Sequence, residues 1–315
     1  MMEHPPAHPL RSAIGLVLAA ATLLAACDGS ATTASPRATQ GHFDQTLHDR
    51  LPPEVRARGF LRVGTDASYA PMESFAPDGR TIIGIEPDLA LEIGRILGVR
   101  LQFVNKTFDT LREDVADGVL DLAMSAMTDT PERAKAVDFV DYFSAGTSIL
   151  VQRGNPSGVT GMSDLCGKVA AVESGTTQMD LLARTQKNCG DQPIIVKSYP
   201  TNSDALVQLR TGRAAAALSD FPTAAFFAND PHTRSHYQLA STTQFEPGLY
   251  GIAVAKTQPS LREAVQGACE ELLRSGIYND VMARWDVSEG GVDRISINSD
   301  RWTSIAGRAS LNEHR

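Results

Sequence analysis

Aromatic residues are scarce, at 6% of 315 positions with two tryptophans, and cysteine occurs four times. So few cysteines exclude a small scaffold held by disulfides. Basic residues are also short: 29 Lys and Arg face 37 Asp and Glu, for a net charge of −8. A phosphate binder needs a basic surface, so nucleic acid is excluded as a partner. Beyond the N-terminal stretch no run is long and apolar enough to cross a bilayer. No Cys–His cluster has metal-ligand spacing, no Ser–His or Cys–His pair marks a nucleophile and its base, and no phosphate loop is present. No cofactor and no metal are therefore expected. What remains is 42% hydrophobic and 21% charged, an ordinary globular composition long enough for two domains or one large one.

The N-terminus reads as a targeting segment. Arg11 is basic, and residues 13–26 form an apolar stretch too short for a stable span. It closes with Leu24-Ala25-Ala26-Cys27. Small residues before a Cys resemble the lipobox of bacterial lipoproteins, where that Cys is acylated and becomes the first mature residue. The alternative is an ordinary cleaved signal followed by a chance Cys. Residues 1–26 are thus expected to be a lipoprotein signal peptide. Residues 27–45, rich in Ser, Thr, Ala and Gly, are expected to be a flexible tether.

Export makes the other cysteines informative, because extracytoplasmic thiols tend to pair. Cys166 and Cys189 flank a strand–helix unit and make the better pair. Cys269 lies in a helical pattern and could be a buried free thiol.

Along the chain, residues 61–64 read as a strand and 65–75 as a loop. Residues 84–98 read as a helix: Leu89, Ile93, Ile96 and Leu97 share a face, Pro87 and Asp88 suit its first turn, and Gly98 suits its C-cap. Strand 100–104, helix 108–119 and strand 121–126 follow, then strand 147–151 and a Gly-rich turn. A second set comprises strand 168–172, helix 176–187, strand 194–199, helix 202–211, strand 214–218 and a helix from Phe221. Strand 251–255 and helices 260–275 and 277–285 finish the pattern, and residues 287–315 read as an irregular C-terminal tail. Alternating strands and helices indicate an α/β fold with a largely parallel sheet.

Residues 121–143 hold the densest chemistry. An apolar strand (Leu122, Ala123, Met124) turns polar at Ser125 and Thr128, and Thr130 and Pro131 suit the start of a short helix. Arg133 would then lie in a first turn, where the macrodipole disfavours a cation unless something negative is near. A guanidinium forks onto a carboxylate through two parallel hydrogen bonds. Alternatively, Arg133 is exposed beside Glu132. Glu173-Ser-Gly-Thr176-Thr177-Gln178 joins a strand to a helix, so its N–H groups and hydroxyls could bind an anion or simply cap the helix. Asp220 follows a strand and precedes Phe221-Pro222. It is a helix cap, a carboxylate in the crevice at the strand ends, or both. Asp66 and Tyr69 follow another strand, as turn former and core residue or as parts of a site.

Together these places resemble family 3 of the bacterial extracytoplasmic solute-binding proteins, the polar amino-acid receptors of ABC importers. The resemblance covers nearly all of residues 46–286. It rests on Gly64-Thr-Asp-Ala-Ser-Tyr-Ala-Pro71, on the signature-like 84–94, on Ser125 to Arg133, on Gly175-Thr-Thr-Gln178 and on Leu218-Ser-Asp220, in that order. Pro87 and Asp129 depart from the usual residues. The resemblance implies two α/β lobes, residues 46–146 plus 247–286 and residues 147–246, joined by hinge crossings near 144–148 and 241–250. It implies that Arg133 holds a ligand α-carboxylate with help from Thr128 and Thr177. It gives the α-ammonium to Asp220 and the Ala126 carbonyl, and the side chain to Tyr69 and Phe108. Asp66, Ser125 and Glu173 fall toward the far end, and Thr176 belongs to the second-lobe ligand segment with Thr177. The implied protein is a non-catalytic monomer, anchored to the outer face of the cytoplasmic membrane only by lipid, that presents a free amino acid to a permease. Carboxylates at the far end point to a cationic or amide ligand. The alternative on the same fold is a dehydratase acting on a cyclic amino-acid precursor, with Glu173 as general acid.

Overall fold

A computed structural model describes residues 40–298. The expected signal peptide, the acylated Cys27, most of the tether and residues 299–315 lie outside the described residues. The described chain opens with two short helices, α1 (Gln45–Arg50) and α2 (Pro53–Arg58), at the end of and just beyond the stretch expected as tether. The Asp44 side chain caps α1 by accepting from Leu47 N–H at 3.1 Å.

The first α/β set is β1 (Phe60–Thr65), β2 (Ser68–Tyr69), β3 (Glu73–Phe75), β4 (Ile82–Ile83), α3 (Ile85–Leu97), β5 (Arg100–Asn105), α4 (Phe108–Ala116) and β6 (Leu122–Ala123). The segment expected as a loop after β1 instead begins a small antiparallel sheet, β2–β3–β4. The chain then enters one long strand, β7 (Val137–Gln152). The second set is β8 (Val169–Glu173), α5 (Thr177–Thr185), β9 (Ile195–Tyr199), α6 (Asn202–Arg210), β10 (Ala216–Asp220), α7 (Phe221–Asn229) and β11 (Tyr237–Leu239). It returns through β12 (Phe245–Ala255) to α8 (Pro259–Ser275), α9 (Ile277–Arg284) and β13 (Gly291–Ile297).

The main sheet runs β5-β1-β6-β12-β7-β10-β8-β9. Its flanks are parallel, β1 with β5 and β6, β8 with β9 and β10, as βαβ crossovers require. Its centre is antiparallel, because β7 and β12 run back along one another and β10, β11 and β13 pair with β7 in the same sense. The sheet is therefore mixed rather than largely parallel. The β7–β12 ladder shifts register between Phe245 and Gly248 and again between Tyr250 and Gly251. Such bulges bend a ribbon locally. Part of the C-terminal segment expected to be irregular is the strand β13 on β7.

Buried side chains fall into separate clusters. One joins α3, α8 and α9 to β1, β6, β7 and β12 through Leu61, Ile93, Tyr142, Ile252, Leu272 and Met282. A smaller one packs Leu111 and Val115 of α4 on the opposite side. Two others are built on β8 and β10, one with Leu182 of α5 and one with Leu206 and Leu209 of α6. Cys166 and Cys189 are joined by a disulfide across 23 positions, while Cys269 is buried as a free thiol in α8. Burial pushes that thiol up to about 12, so it stays neutral and inert. No described helix is long and apolar enough to cross a membrane.

Candidate ligand site at the strand ends

The carboxyl ends of β1, β6, β8 and β10 converge on one cavity. Asp66 and Tyr69 follow β1, Phe108 opens α4, and Ser125, Ala126, Thr128 and Arg133 follow β6. Glu173 ends β8, Thr176 and Thr177 start α5, and Asp220 ends β10. Every residue that the sequence pointed to as a ligand contact lines this cavity, together with Gln178. The space they enclose is about 10 Å³, room for roughly one water.

Arg133 is 8% exposed and so is not the surface residue of the alternative reading. It opens a short 3₁₀ turn, Arg133–Lys135, instead of an α-helix, and its N–H is capped by Thr130 Oγ1 at 3.1 Å. The guanidinium donates from Nη1 to the Thr128 carbonyl and from Nη2 to the Gly175 carbonyl, each at 2.9 Å. It stands 5.2 Å from the Phe108 ring centroid, in reach of a cation–π contact. Desolvation lowers its pKa to about 10, against the favourable charges of Asp220, Asp180 and Asp129. It therefore remains a cation at neutral pH. The loop that carries it is tied down: Asp129 N–H donates to the Leu249 carbonyl at 2.7 Å, and Thr128 bridges to Tyr250 of β12.

Asp220 meets Arg133 from the second set of strands. Its carboxylate accepts from Tyr69 Oη at 3.0 Å and from Gln178 Nε2 at 2.6 Å, while its N–H donates to Tyr69 Oη at 2.8 Å. It precedes Phe221 and Pro222, but makes no side-chain cap bond to α7. Freed from capping, the carboxylate is turned to the cavity. Burial raises it to about 6, with the Tyr250 and Tyr69 hydroxyls and the Arg133 charge pulling the other way. Gln178 is the residue that local reasoning passed over. Its signal was its place at the end of the Gly175-Thr-Thr-Gln run.

Thr176 is the N-cap of α5: its Oγ1 accepts from Met179 N–H at 3.3 Å and donates to the Glu173 carbonyl at 2.8 Å. Gly175 has φ +75° and a Cβ there would sit 3.0 Å from Asp109 Cβ, so a side chain would be strained. At the far end Asp66 and Glu173 are each 4% exposed. Their oxygens Oδ2 and Oε1 have no conventional partner, and the two carboxyls face one another. Burial first, then the charge of Asp66, holds Glu173 well above the usual carboxylate range. Burial also raises Asp66. One proton on this pair removes the repulsion of two buried anions. The described residues contain no cluster of His, Cys, Asp and Glu fit to hold a metal ion.

The arrangement can hold a small zwitterion, with a fixed cation for its carboxylate and a fixed anion for its ammonium. The sequence profile of the bacterial extracellular solute-binding proteins, family 3, matches residues 61–288. The arginine-binding protein ArgT of Corynebacterium glutamicum is 28% identical over 305 residues, 93% of this chain and 96% of that one. An ancestral arginine-binding protein solved with arginine is 33% identical, covers 72% of this chain and 98% of its own, and superposes with a TM-score of 0.67. An ancestral amino acid-binding protein, a precursor of cyclohexadienyl dehydratase, is 30% identical over 76% of this chain and 99% of its own, with a TM-score of 0.64. The chain shares their two-lobed α/β architecture. On the profile match and this fold, the chain belongs to the bacterial extracellular solute-binding proteins, family 3.

Proposed function

We propose that this chain is the extracytoplasmic receptor of an ABC importer, and that it closes on a free amino acid with a cationic or amide side chain. The observation that carries the reading is the meeting of buried Arg133 and Asp220 in one cavity, drawn from either side of the central β12–β7 pair. Arg133 takes the α-carboxylate, with Thr128 and the Thr177 backbone. Asp220 and the Ala126 carbonyl take the α-ammonium. Tyr69 and Phe108 flank the side chain, Asp66, Ser125 and Glu173 surround its far end, and Thr176 starts the α5 segment that lines the cavity. The lobes are residues 46–146 with 247–286 and residues 147–246, and they move about β7 and β12, where the register shifts lie. The small cavity fits a closed form that must open to admit a ligand. Relatives and structural neighbours that bind arginine support a cationic ligand.

Cys27 anchors the mature monomer through lipid, and a permease receives the ligand. Mass spectrometry of ligand released from freshly purified protein, followed by a calorimetric panel of amino acids, tests the reading. Preference for glutamate, aspartate or an aliphatic amino acid over arginine, lysine, histidine and glutamine would refute the ligand class. Cys27→Ser is expected to release the protein from membranes or leave its precursor uncleaved; unchanged retention would refute the anchor.

A dehydratase is the second reading, because a protonated Glu173 is a ready general acid and one structural neighbour is a dehydratase precursor. Two α-anchors favour a binder. Incubation with prephenate or arogenate, read as aromatic product, separates the two.

A further inference from the structure

Behind the cavity lies a second pair of carboxyls, Glu73 of β3 and Glu86 of α3, both 0% exposed. The fold forces them together. At Gly84, φ is +147° and a Cβ would stand 2.1 Å from the Met72 carbonyl oxygen. That close approach lets Ile85 N–H and Glu86 N–H donate to the Pro71 and Met72 carbonyls at 3.0 and 3.1 Å. The first turn of α3 is thereby pinned over β3.

The hydrogen bonds assign the proton. Glu86 Oε1 accepts from Ala126 N–H at 2.8 Å and from the Tyr142 hydroxyl. It also sits in the first turn of α3, where a negative charge is favoured. Glu73 Oε1 accepts from Ser125 Oγ at 2.9 Å. The oxygens left over, Glu73 Oε2 and Glu86 Oε2, have no other partner. A proton on Glu73 Oε2, donated to Glu86, satisfies both. The other groups bearing on the pair are Asp66 beside Glu73, and Tyr278 of α9, whose hydroxyl donates to the Tyr142 carbonyl at 2.7 Å. These add no positive charge, so the pair needs its proton to avoid two buried anions.

The pair grips the part of the loop that faces the ligand. Ser125 Oγ, donating to Glu73, accepts from Asp66 N–H at 2.9 Å. Ala126, held by Glu86, has φ +47°, a conformation that non-glycine residues keep only when the surroundings impose it. We propose that Glu73 and Glu86 are positioning residues for the ligand site: their shared proton locks the Ser125–Ala126 backbone so that the Ala126 carbonyl is presented to the α-ammonium. This rests on the amino-acid reading above.

The test uses the full chain and compares wild type, Glu73→Ala and Glu73→Gln. The amide of Gln can donate to Glu86 and accept from Ser125, as protonated Glu does. In the unliganded proteins, hydrogen exchange at the Ala126 amide should quicken about tenfold or more in Glu73→Ala and return toward wild type in Glu73→Gln. Arginine affinity should fall about tenfold in Glu73→Ala, with Gln rescuing it to within about threefold. For the arginine analogue lacking the α-amino group, Glu73→Ala should bind as wild type does. Wild-type exchange at Ala126 in a folded Glu73→Ala, failure of Gln to rescue, or an equal loss for both ligands would overturn the proposal. Failure of wild type to bind any of arginine, lysine, histidine and glutamine would instead refute the ligand reading, while the exchange result still decides whether the pair holds the loop.

Discussion

Replacing Arg133 isolates the contact on which the zwitterion reading depends. The side chain is buried, stays charged with a pKa near 10, and has its two terminal nitrogens committed to the Thr128 and Gly175 carbonyls at 2.9 Å. Those bonds fix the plane of the guanidinium, so the remaining N–H groups meet a carboxylate without further ordering. Removing one partner of a buried charged pair costs about 2–5 kcal/mol, because the other is left unpaired. At about 1.4 kcal/mol per decade, Arg133→Ala should weaken arginine binding by roughly 30-fold to several thousand-fold.

Arg133→Lys keeps the charge but loses the fork. One ammonium cannot satisfy both carbonyls and a bidentate carboxylate, so this variant should fall between wild type and Ala. Isothermal titration calorimetry gives the affinities, and thermal unfolding of the unliganded variants confirms that they fold. A loss under about threefold in a folded Arg133→Ala would show that the carboxylate is held elsewhere. Equal affinity of wild type and Lys would show that charge alone matters.

Asp220 predicts a pH dependence. It must be ionised to hold an ammonium, and burial has raised it to about 6. Binding at pH 5 should therefore be about tenfold weaker than at pH 7, and a flat profile would refute the assignment. Its contribution to stability has the opposite sense: it is full below the ordinary value of 3.8 and lost as pH rises through about 6. Breaking the Cys166–Cys189 bridge, which spans 23 positions, should lower stability by about 3 kcal/mol on the chain-entropy model. Denaturant unfolding of the paired Cys→Ser variant measures it, and an unchanged midpoint would refute the estimate. Glu173→Gln should weaken arginine by about tenfold and leave glutamine within about threefold. Equal effects on both would take Glu173 away from the ligand side chain.

The helices were legible where a face repeats over several turns. α3 shows this best, with Leu89, Ile93, Ile96 and Leu97 in its core and Gly98 at its C-cap. The first half of β7 was not legible. Val137 to Phe143 is buried on both faces, so no alternation marks it as a strand. β13 failed for a different reason: its Asp293 and Arg294 look like loop residues, and what makes it a strand is a partner more than a hundred positions earlier. The strands β2 to β4 span two or three residues each, too few for any period to show. The cavity residues Arg133 and Asp220 were legible as motifs. The Glu73–Glu86 pair was not, because neither residue is unusual until α3 folds over β3.

The same limit applies to selectivity, which local patterns show only as a count of carboxylates. In the folded chain the charged side chains of the cavity already have companions. Asp220 has Tyr69 and Gln178, Arg133 has two carbonyls, and Asp66 has Glu173. A ligand gains only the difference between its own contacts and these. At Arg133 the carbonyl bonds leave N–H groups over, so a carboxylate adds to what exists. At Asp220 an ammonium replaces a neutral hydroxyl and amide, which gains charge–charge attraction. At Asp66 and Glu173 the exchange depends on the shared proton. A guanidinium or ammonium displaces that proton and meets two anions. A side-chain amide leaves the proton in place, accepting from the neutral carboxyl and donating to the charged one. An ionised acidic side chain can do neither and sets a second negative charge beside that of the pair in a buried space. A protonated carboxyl pair could thus answer both a cationic and an amide ligand.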